Sequence, residues 1–207
     1  AEHEYYTLDA DYAVLSAGQV VINEILAINT TTNQNSSGIF GDWIELYNTT
    51  SNTVSLDFLN LSDNGSNISK WQFPSGKTIG PNGFLIVWAD KGTSATEIHC
   101  DFSFSGAGEY AVIGYANGTI LDSISFPAQT TDVSFGRYPN GTGPFVPMPP
   151  TFNATNSLSG VGEYGTDIGL YVYPNPSSGQ FNVECLKSHD LYIELRNVLG
   201  ELVWNMS

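Results

Sequence analysis

The sequence has few basic residues. Six lysines and arginines stand against 21 aspartates and glutamates, which gives a formal net charge of −15, and the basic residues are scattered singly along the chain. Proteins that bind nucleic acids need clustered cations to neutralise phosphates, so this composition argues against nucleic acid as a partner. The acidity itself fits a protein that stays soluble outside the cell.

Charged residues of both signs are scarce as well. They make up 13% of the chain, where about 25% is typical. Asparagine, serine, threonine and glycine, which favour turns, take their place. Because hydrophobic residues reach 41%, a packed core is still expected, and the profile is typical of a secreted, loop-rich β protein.

Long apolar runs are lacking, and cysteines are few. No run of about 18 apolar residues occurs, so the sequence predicts no membrane-spanning helix. The two cysteines, Cys100 and Cys185, are interpreted as buried small apolar side chains, with a disulfide as the alternative. The chain begins at Ala1 without methionine or a signal peptide, so we expect a processed chain or a piece of a longer one.

Strand patterns dominate what is present. VVINEILAIN (20–29) has the apolar, β-branched character of a central strand, and GFLIVWAD (83–90) is apolar on both faces. EYAVIGYANGTILDSISF (109–126) predicts a hairpin around Asn117-Gly118. No convincing helix is found. Many short strands at this spacing predict an all-β fold, a sandwich or a barrel.

The segment DWIELYN (42–48) predicts a strand with two different faces. Because strand side chains alternate, Ile44 and Leu46 point to the core, whereas Trp43, Glu45 and Tyr47 share the opposite face. These three residues form a candidate aromatic platform, on which the rings would stack against a sugar. The alternative is that a second layer or loop covers them, since large aromatic side chains are usually mostly buried.

A hydrolase would need two carboxylates that face each other. Glu24 and Glu45 on adjacent strands are the candidate pair, which in a retaining glycosidase would lie about 5 Å apart. The phosphate-loop-like FPSGK (73–77) lacks a following helix, and a strand follows GAGEYA (106–111). The Asp63 loop lacks the glutamate of a calcium site and predicts an Asx turn. We therefore predict no metal, no cofactor and no catalytic residues.

Nearly every strand of the first part resembles a known family. VINEILAIN, GDWIELYN, KWQFPSG, GFLIVWADK, GEYAVIG and DVSFGRYPNG follow in the order found in the bacterial extracellular form of the lamin tail domain, over about residues 20–144. The resemblance implies an immunoglobulin-like β-sandwich and a non-catalytic accessory module. The positions that match the family motifs, none with a catalytic role to carry over, are Glu24, Asp42, Trp43, Glu45, Asn48, Asp90 and Arg137.

The C-terminal part resembles the C-terminal sorting domain of bacterial type IX secretion. The matching residues are the corner Tyr173-Pro174-Asn175-Pro176, together with Gly179, Phe181 and the turn that contains Gly200. This domain usually continues for several more strands, so we expect a truncated, partial β-sandwich with an exposed sheet edge. The resemblance implies export to the cell surface or the extracellular space, with the secretion machinery as a partner.

One short motif suggests a modification. Asp122-Ser123-Ile124 is similar to the Asp-Ser/Thr-apolar sites at which such bacteria attach O-glycans, and this would make Ser123 an acceptor. An unmodified strand residue is the alternative.

The sequence predicts four regions. They are an N-terminal segment (1–18), the immunoglobulin-like domain (19–156), a linker (157–168) and the partial sorting domain (169–207). The predicted function is a structural or adhesive accessory module of a secreted or cell-surface bacterial protein. A carbohydrate-binding module and a hydrolase are the alternatives. Expected partners are neighbouring domains of a larger chain and the secretion machinery, with a polysaccharide or a cell-surface protein as further candidates.

Overall fold

A computed structural model describes residues 14–157 and, beyond them, the backbone of four strands within 170–206. The chain divides into two units, Ala1–Leu158 and Ser159–Ser207, and each unit is considered by itself. Eleven strands form the described part of the first unit. They are β1 (Val20–Leu26), β2 (Trp43–Asn48), β3 (Val54–Ser55), β4 (Leu59–Ser62), β5 (Trp71–Gln72), β6 (Thr78–Ile79), β7 (Phe84–Trp88), β8 (Glu109–Tyr115), β9 (Ile120–Phe126), β10 (Ser134–Arg137) and β11 (Phe145–Met148).

Two antiparallel sheets make up most of this unit. A five-stranded sheet has the order β11-β10-β1-β2-β7, a four-stranded sheet has the order β5-β4-β8-β9, and β3 pairs with β6. One apolar core contains side chains from both larger sheets, such as Ile22 and Ile44 from the first and Leu61 and Ile113 from the second. The all-β prediction and the immunoglobulin-like sandwich are confirmed.

The predicted faces of β2 are confirmed. Ile44 and Leu46 are fully buried in the core between the sheets. Every residue of β1 is buried, as expected of a central strand. In β7, Val87 lies in this core and Trp88 is buried on the other face, but Phe84 and Ile86 are only half-buried.

The predicted hairpin is confirmed, with a different turn. β8 and β9 pair as an antiparallel ladder, and Gly118 N donates to Tyr115 O at 3.0 Å to close a turn centred on Ala116 and Asn117. Gly118 takes a positive φ, +95°, which glycine adopts at low cost, and the next residue closes the turn because Tyr115 N donates to Thr119 O at 2.8 Å. Three residues, 116–118, therefore connect the strands in place of a two-residue turn. A separate bulge lies at Leu121, where Ile113 pairs with Asp122 and Gly114 pairs with Ile120.

One sequence interpretation needs correction in detail. A 3-10 turn, Ile68–Lys70, is present where no helix was predicted. In the proline-rich stretch after residue 144, Phe145–Met148 pairs with β10 as an edge strand. Pro147 is exposed within it, which fits an edge position because proline cannot donate to a further strand. No helix in the described residues is long and apolar enough to cross a membrane.

The second unit is described as two strand pairs. β12 (Leu170–Tyr173) pairs antiparallel with β13 (Asn182–Cys185), and β14 (Ile193–Arg196) pairs antiparallel with β15 (Leu202–Met206). β14 and β15 lie on either side of the motif position Gly200 in the sequence. Of the sorting motif, Tyr173 ends β12. The remaining positions lie outside the described residues, as does most of the predicted linker; they are Pro174, Asn175, Pro176, Gly179, Phe181 and Gly200.

Burial of Ile44 generates a stability prediction. Replacing Ile44 by alanine is expected to lower the free energy of unfolding by about 2–5 kcal/mol, because the change leaves a cavity between the sheets. Ile39 is 57% exposed, so the same replacement there should change stability by less than about 0.5 kcal/mol. Urea unfolding of both variants checks this, and equal effects would contradict the face assignment.

Candidate functional site

The candidate site lies on the face of the five-stranded sheet that points away from the core. A β-bulge in β1 places it there, because Ile22 pairs with Leu46 whereas Glu24 pairs with the next residue, Glu45. Asn23 is therefore an extra residue opposite β2, and the side chains of Asn23 and Glu24 both bond to groups on this outer face. The strand thus presents two adjacent polar side chains on one face.

The segment 149–157 covers this face. Thr151 N donates to Glu24 Oε1 at 3.0 Å, and Thr151 Oγ1 donates to Glu24 Oε2 at 2.6 Å. Asn153 N donates to Glu45 Oε2 at 2.6 Å, while Asn23 Nδ2 donates to Glu45 Oε1 at 2.9 Å. Both carboxylates are fully buried. Their oxygens bind the chain's own backbone and side chains.

Asn156 holds the end of this covering segment. Its side-chain amide donates to Asn23 O at 3.2 Å and to Arg137 O at 2.8 Å, and its backbone N–H donates to Asn140 Oδ1 at 2.9 Å. The close fit depends on Gly136, where a Cβ would lie 2.9 Å from Asn156 Nδ2 and 3.1 Å from Glu24 Cγ. A side chain at this position would therefore push the segment away from Glu24.

The aromatic platform predicted from Trp43, Glu45 and Tyr47 is wrong as a solvent-exposed surface. Trp43 and Glu45 have no exposed surface, and Phe152 packs edge-on against Trp43 with 5.3 Å between ring centroids. Tyr47 is half-buried beside Phe84, at 5.0 Å. The face assignment was right, but the covering segment fills the space that a sugar would need.

Burial also sets the protonation of the two glutamates. Desolvation raises the pKa of Glu45 to about 8, and the neighbouring charge of Glu24 adds to the rise, while hydrogen bonds from Asn23 and from the covering segment oppose it. Desolvation likewise raises the pKa of Glu24. Because the acids are enclosed and bonded to backbone, the hypothesis of a Glu24–Glu45 hydrolase pair is wrong: substrate has no access to either carboxylate.

Arg137 and Asp122 join the two sheets beside the bulge. Arg137 Nη2 lies 3.1 and 3.0 Å from the two carboxylate oxygens of Asp122, which extends from β9 of the other sheet. The same two side chains bind the backbone of Ile22. Arg137 Nε donates to the carbonyl oxygen of Ile22 at 3.0 Å, and the backbone N–H of Ile22 donates to Asp122 Oδ2 at 2.9 Å. The ion pair thus satisfies backbone groups at the irregular point of β1.

Other residues that match the family motifs also bind loops. Asn48 is fully buried and its side-chain amide donates to the carbonyls of Asn52, Ile79 and Gly80. Asp90 accepts from Asn35 Nδ2 at 2.9 Å and lies 2.7 Å from His99 Nδ1. The contacts of Asn48 and Asp90 position turns at the ends of β2 and β7. At Asp42, the third polar residue of this group, desolvation raises the pKa to about 7.

The remaining sequence predictions have mixed outcomes. Cys100 is free and buried, and burial raises the pKa of its thiol to about 12, whereas the side chain of Cys185 lies outside the described residues. The Asx turn is present, with Ser66 N donating to Asn64 Oδ1. Ser123 is half-buried on β9, and its O-glycosylation stays a prediction. The described residues contain no group of three side chains placed to hold a metal.

Arg137 generates a second prediction. Its side chain is 19% exposed and that of Asp122 is 15% exposed, so replacing Arg137 by alanine leaves a largely buried carboxylate without its cation. The free energy of unfolding should fall by about 2–4 kcal/mol. Lys91→Ala, which removes one positive charge from an exposed position, is the control and should have an effect of less than about 0.5 kcal/mol in urea unfolding.

The raised pKa of Glu45 generates a third prediction. The folded protein keeps this proton up to about pH 8, whereas the unfolded chain releases it near 4.5. The stabilisation is therefore complete below pH 4.5 and lost as the pH rises to 8, so the free energy of unfolding should fall over this window. Asp42 contributes a change of the same sign.

Glu45→Gln is the variant that isolates this effect, because its side chain stays neutral. Urea midpoints of both proteins at pH 5, 6.5 and 8 should show a shallower decrease in the variant. The variant should also be less stable at pH 5, since the amide nitrogen of glutamine cannot accept a hydrogen bond, whereas the hydroxyl oxygen of the protonated acid can. A wild-type midpoint that rises from pH 5 to 8 would contradict the assignment.

The covering segment and the bulge were missed by sequence reasoning. Residues 149–157 show no periodicity, and their contacts to Glu24 and Glu45 span more than 100 residues of sequence. The sequence offered one indirect signal, which is that two acids, Glu24 and Glu45, lie in strongly apolar strands. Buried carboxylates are rarely left without hydrogen bonds, so these acids needed partners from elsewhere in the chain.

Comparisons with known proteins agree with this architecture. The family model of the lamin tail domain matches residues 14–128, and that of the secretion system C-terminal sorting domain matches residues 171–207. No curated protein matches the chain. The sorting domain marks export by the type IX system to the cell surface or the extracellular space, and it implies contact with the secretion machinery. The chain thus belongs to the lamin tail domain family, as part of a secreted bacterial protein of more than one domain.

Proposed function

We propose that this chain is a non-catalytic accessory module of a larger secreted or cell-surface protein. The observation that carries the proposal is that Glu24 and Glu45 both accept hydrogen bonds from the covering segment. Backbone N–H groups of Thr151 and Asn153 donate to these two carboxylates. The acids that could have formed a catalytic pair therefore fasten the chain's own covering segment.

The position of this segment supports a structural role. It is the last part of the first unit, which ends at Leu158, and the sorting domain follows at 171–207. Tension applied to the chain after residue 158 reaches the first unit through residues 149–157. Hydrogen bonds to Glu24 and Glu45 pass this load to β1 and β2 in the middle of a sheet, which is the arrangement that a tether needs.

A panel of chromogenic glycoside, ester, phosphate and peptide substrates tests the proposal. The purified chain and its Glu45→Gln variant should both give the rate of buffer alone, since no substrate reaches the buried acids. Folded protein must be shown for both by near-ultraviolet circular dichroism. Turnover by the wild type that is lost in a folded Glu45→Gln variant would overturn the proposal.

A further inference from the structure

The free edge of β7 is a candidate interaction surface. β7 ends the five-stranded sheet and pairs only with β2 among the strands that the structure describes. Asn48 N donates to Gly83 O, and Ala89 N donates to Asp42 O, so the odd-numbered residues of β7 direct their backbone groups towards β2. By the alternation of an antiparallel ladder, the even-numbered residues Phe84 and Ile86 direct theirs away from the sheet.

In the part of the chain that the structure describes, this edge is used at one end only. Trp88 N donates to Ile98 O at 2.9 Å, and Cys100 N donates to Trp88 O at 2.8 Å, which forms a parallel bridge to His99. Within the described residues, no segment continues this ladder to Ile86 and Phe84. An added strand would therefore extend a ladder that the protein has already begun.

A groove of about 330 Å³ lies along this edge. Phe84, Ile86 and Trp88 form its floor, Phe152 and Asn153 of the covering segment line one part, and Glu97 lines another. Phe84 and Ile86 are only half-buried, with Phe84 beside Tyr47 and Ile86 packed on the cluster that contains Trp88. A strand that added to β7 would place every second side chain over these apolar groups, because strand side chains alternate.

Charge selects the kind of occupant. The chain carries a net charge of −15, which attracts a cationic partner and opposes a second copy of itself. The groove adds one acid, Glu97, and one base, Lys77, so it does not reverse this preference. An extended segment that alternates apolar and basic residues fits both the apolar floor of the groove and the negative electrostatic field of the chain.

We propose that the β7 edge binds an extended, cationic peptide segment of another protein, which adds to the sheet as a further strand. Backbone hydrogen bonds to Phe84 and Ile86 hold the peptide, and its apolar side chains lie on Phe84, Ile86 and Phe152. The proposal rests on the accessory function and names its partner class: adhesion occurs through strand addition to this edge.

Binding of a synthetic probe tests the proposal. A fluorescent peptide of about nine alternating valine and lysine residues should bind the full chain, whereas a peptide of the same composition in two blocks should not. Both peptides carry the same charge, so equal affinities would mean nonspecific electrostatic attraction and would overturn the proposal. Anisotropy titrations at physiological salt measure both.

A matched pair of protein variants locates the site. Ile86→Lys should lower the affinity for the alternating peptide by about tenfold or more, because it places a cation on the groove floor, where it repels the cationic peptide. Ile120→Lys makes the same replacement on the edge strand of the other sheet, at a position 42% exposed, and should change affinity by less than about twofold. Equal losses in both variants would overturn the assignment to β7.

The backbone ladder is tested without changing the protein. Two further peptides carry N-methyl groups on alternate amides, one on the odd and one on the even positions. Strand addition requires that one of them loses binding while the other binds like the parent, since only one set of amides faces β7. Equal behaviour of the two methylated peptides would overturn strand addition.

Hydrogen exchange separates the possible occupants. In the free chain the amides of Phe84 and Ile86 should exchange faster than those of Leu85 and Val87, and the peptide should slow the first pair. Protection of Phe84 and Ile86 that grows with protein concentration in the absence of peptide would indicate a second copy and overturn the peptide assignment. Failure of these tests leaves the substrate-panel result intact, so the two proposals fail independently.

Discussion

One extra residue in β1 is the constraint on which the outer half of the first unit depends. The bulge at Asn23 turns two consecutive polar side chains, Asn23 and Glu24, to the face where Glu45 already lies. Carboxylates on a central strand cannot be buried away from solvent without hydrogen-bond partners, because desolvation of such groups costs several kcal/mol. The covering segment supplies the missing donors. Its aromatic residue, Phe152, then packs against a second cluster of buried apolar side chains, formed by Leu26, Trp43 and Trp88.

The same irregularity determines how the two sheets are joined. A bulge disrupts the ladder locally and leaves backbone groups in need of partners. At Ile22 the partners are Asp122 from one sheet and Arg137 from the other, which also pair with each other. Arg137 further lies over the ring of Phe145, with 4.5 Å to its centroid. The ion pair is therefore tied to the backbone of β1, and neither residue acts as an isolated surface charge.

The sequence was sufficient to predict the long strands and their faces, and insufficient to predict the segment that covers them. Alternation in 42–48 identified Ile44 and Leu46 as core and Trp43 and Glu45 as the other face, because a pleated strand has only two faces. Alternation cannot reveal a bulge, since one additional residue shifts the period without a marker at Asn23. The covering segment was out of reach for another reason. Its placement depends on hydrogen bonds between Thr151 or Asn153 and strands more than 100 residues earlier, and local patterns carry no information about such contacts.

The two edge strands of the five-stranded sheet, β11 and β7, differ in the residues that they carry. β11 carries Pro147, which cannot donate to another strand, as is common where edge pairing is to be prevented. β7 reads FLIVW, with no proline and no charge, although such an apolar edge favours pairing with other chains. Phe152 connects this edge to the buried acids, because it packs against Trp43 and Trp88 while it lines the β7 groove. The hydrogen bonds that hold the covering segment on Glu24 and Glu45 therefore also fix one wall of the groove, and a partner on β7 would lie against this covering segment.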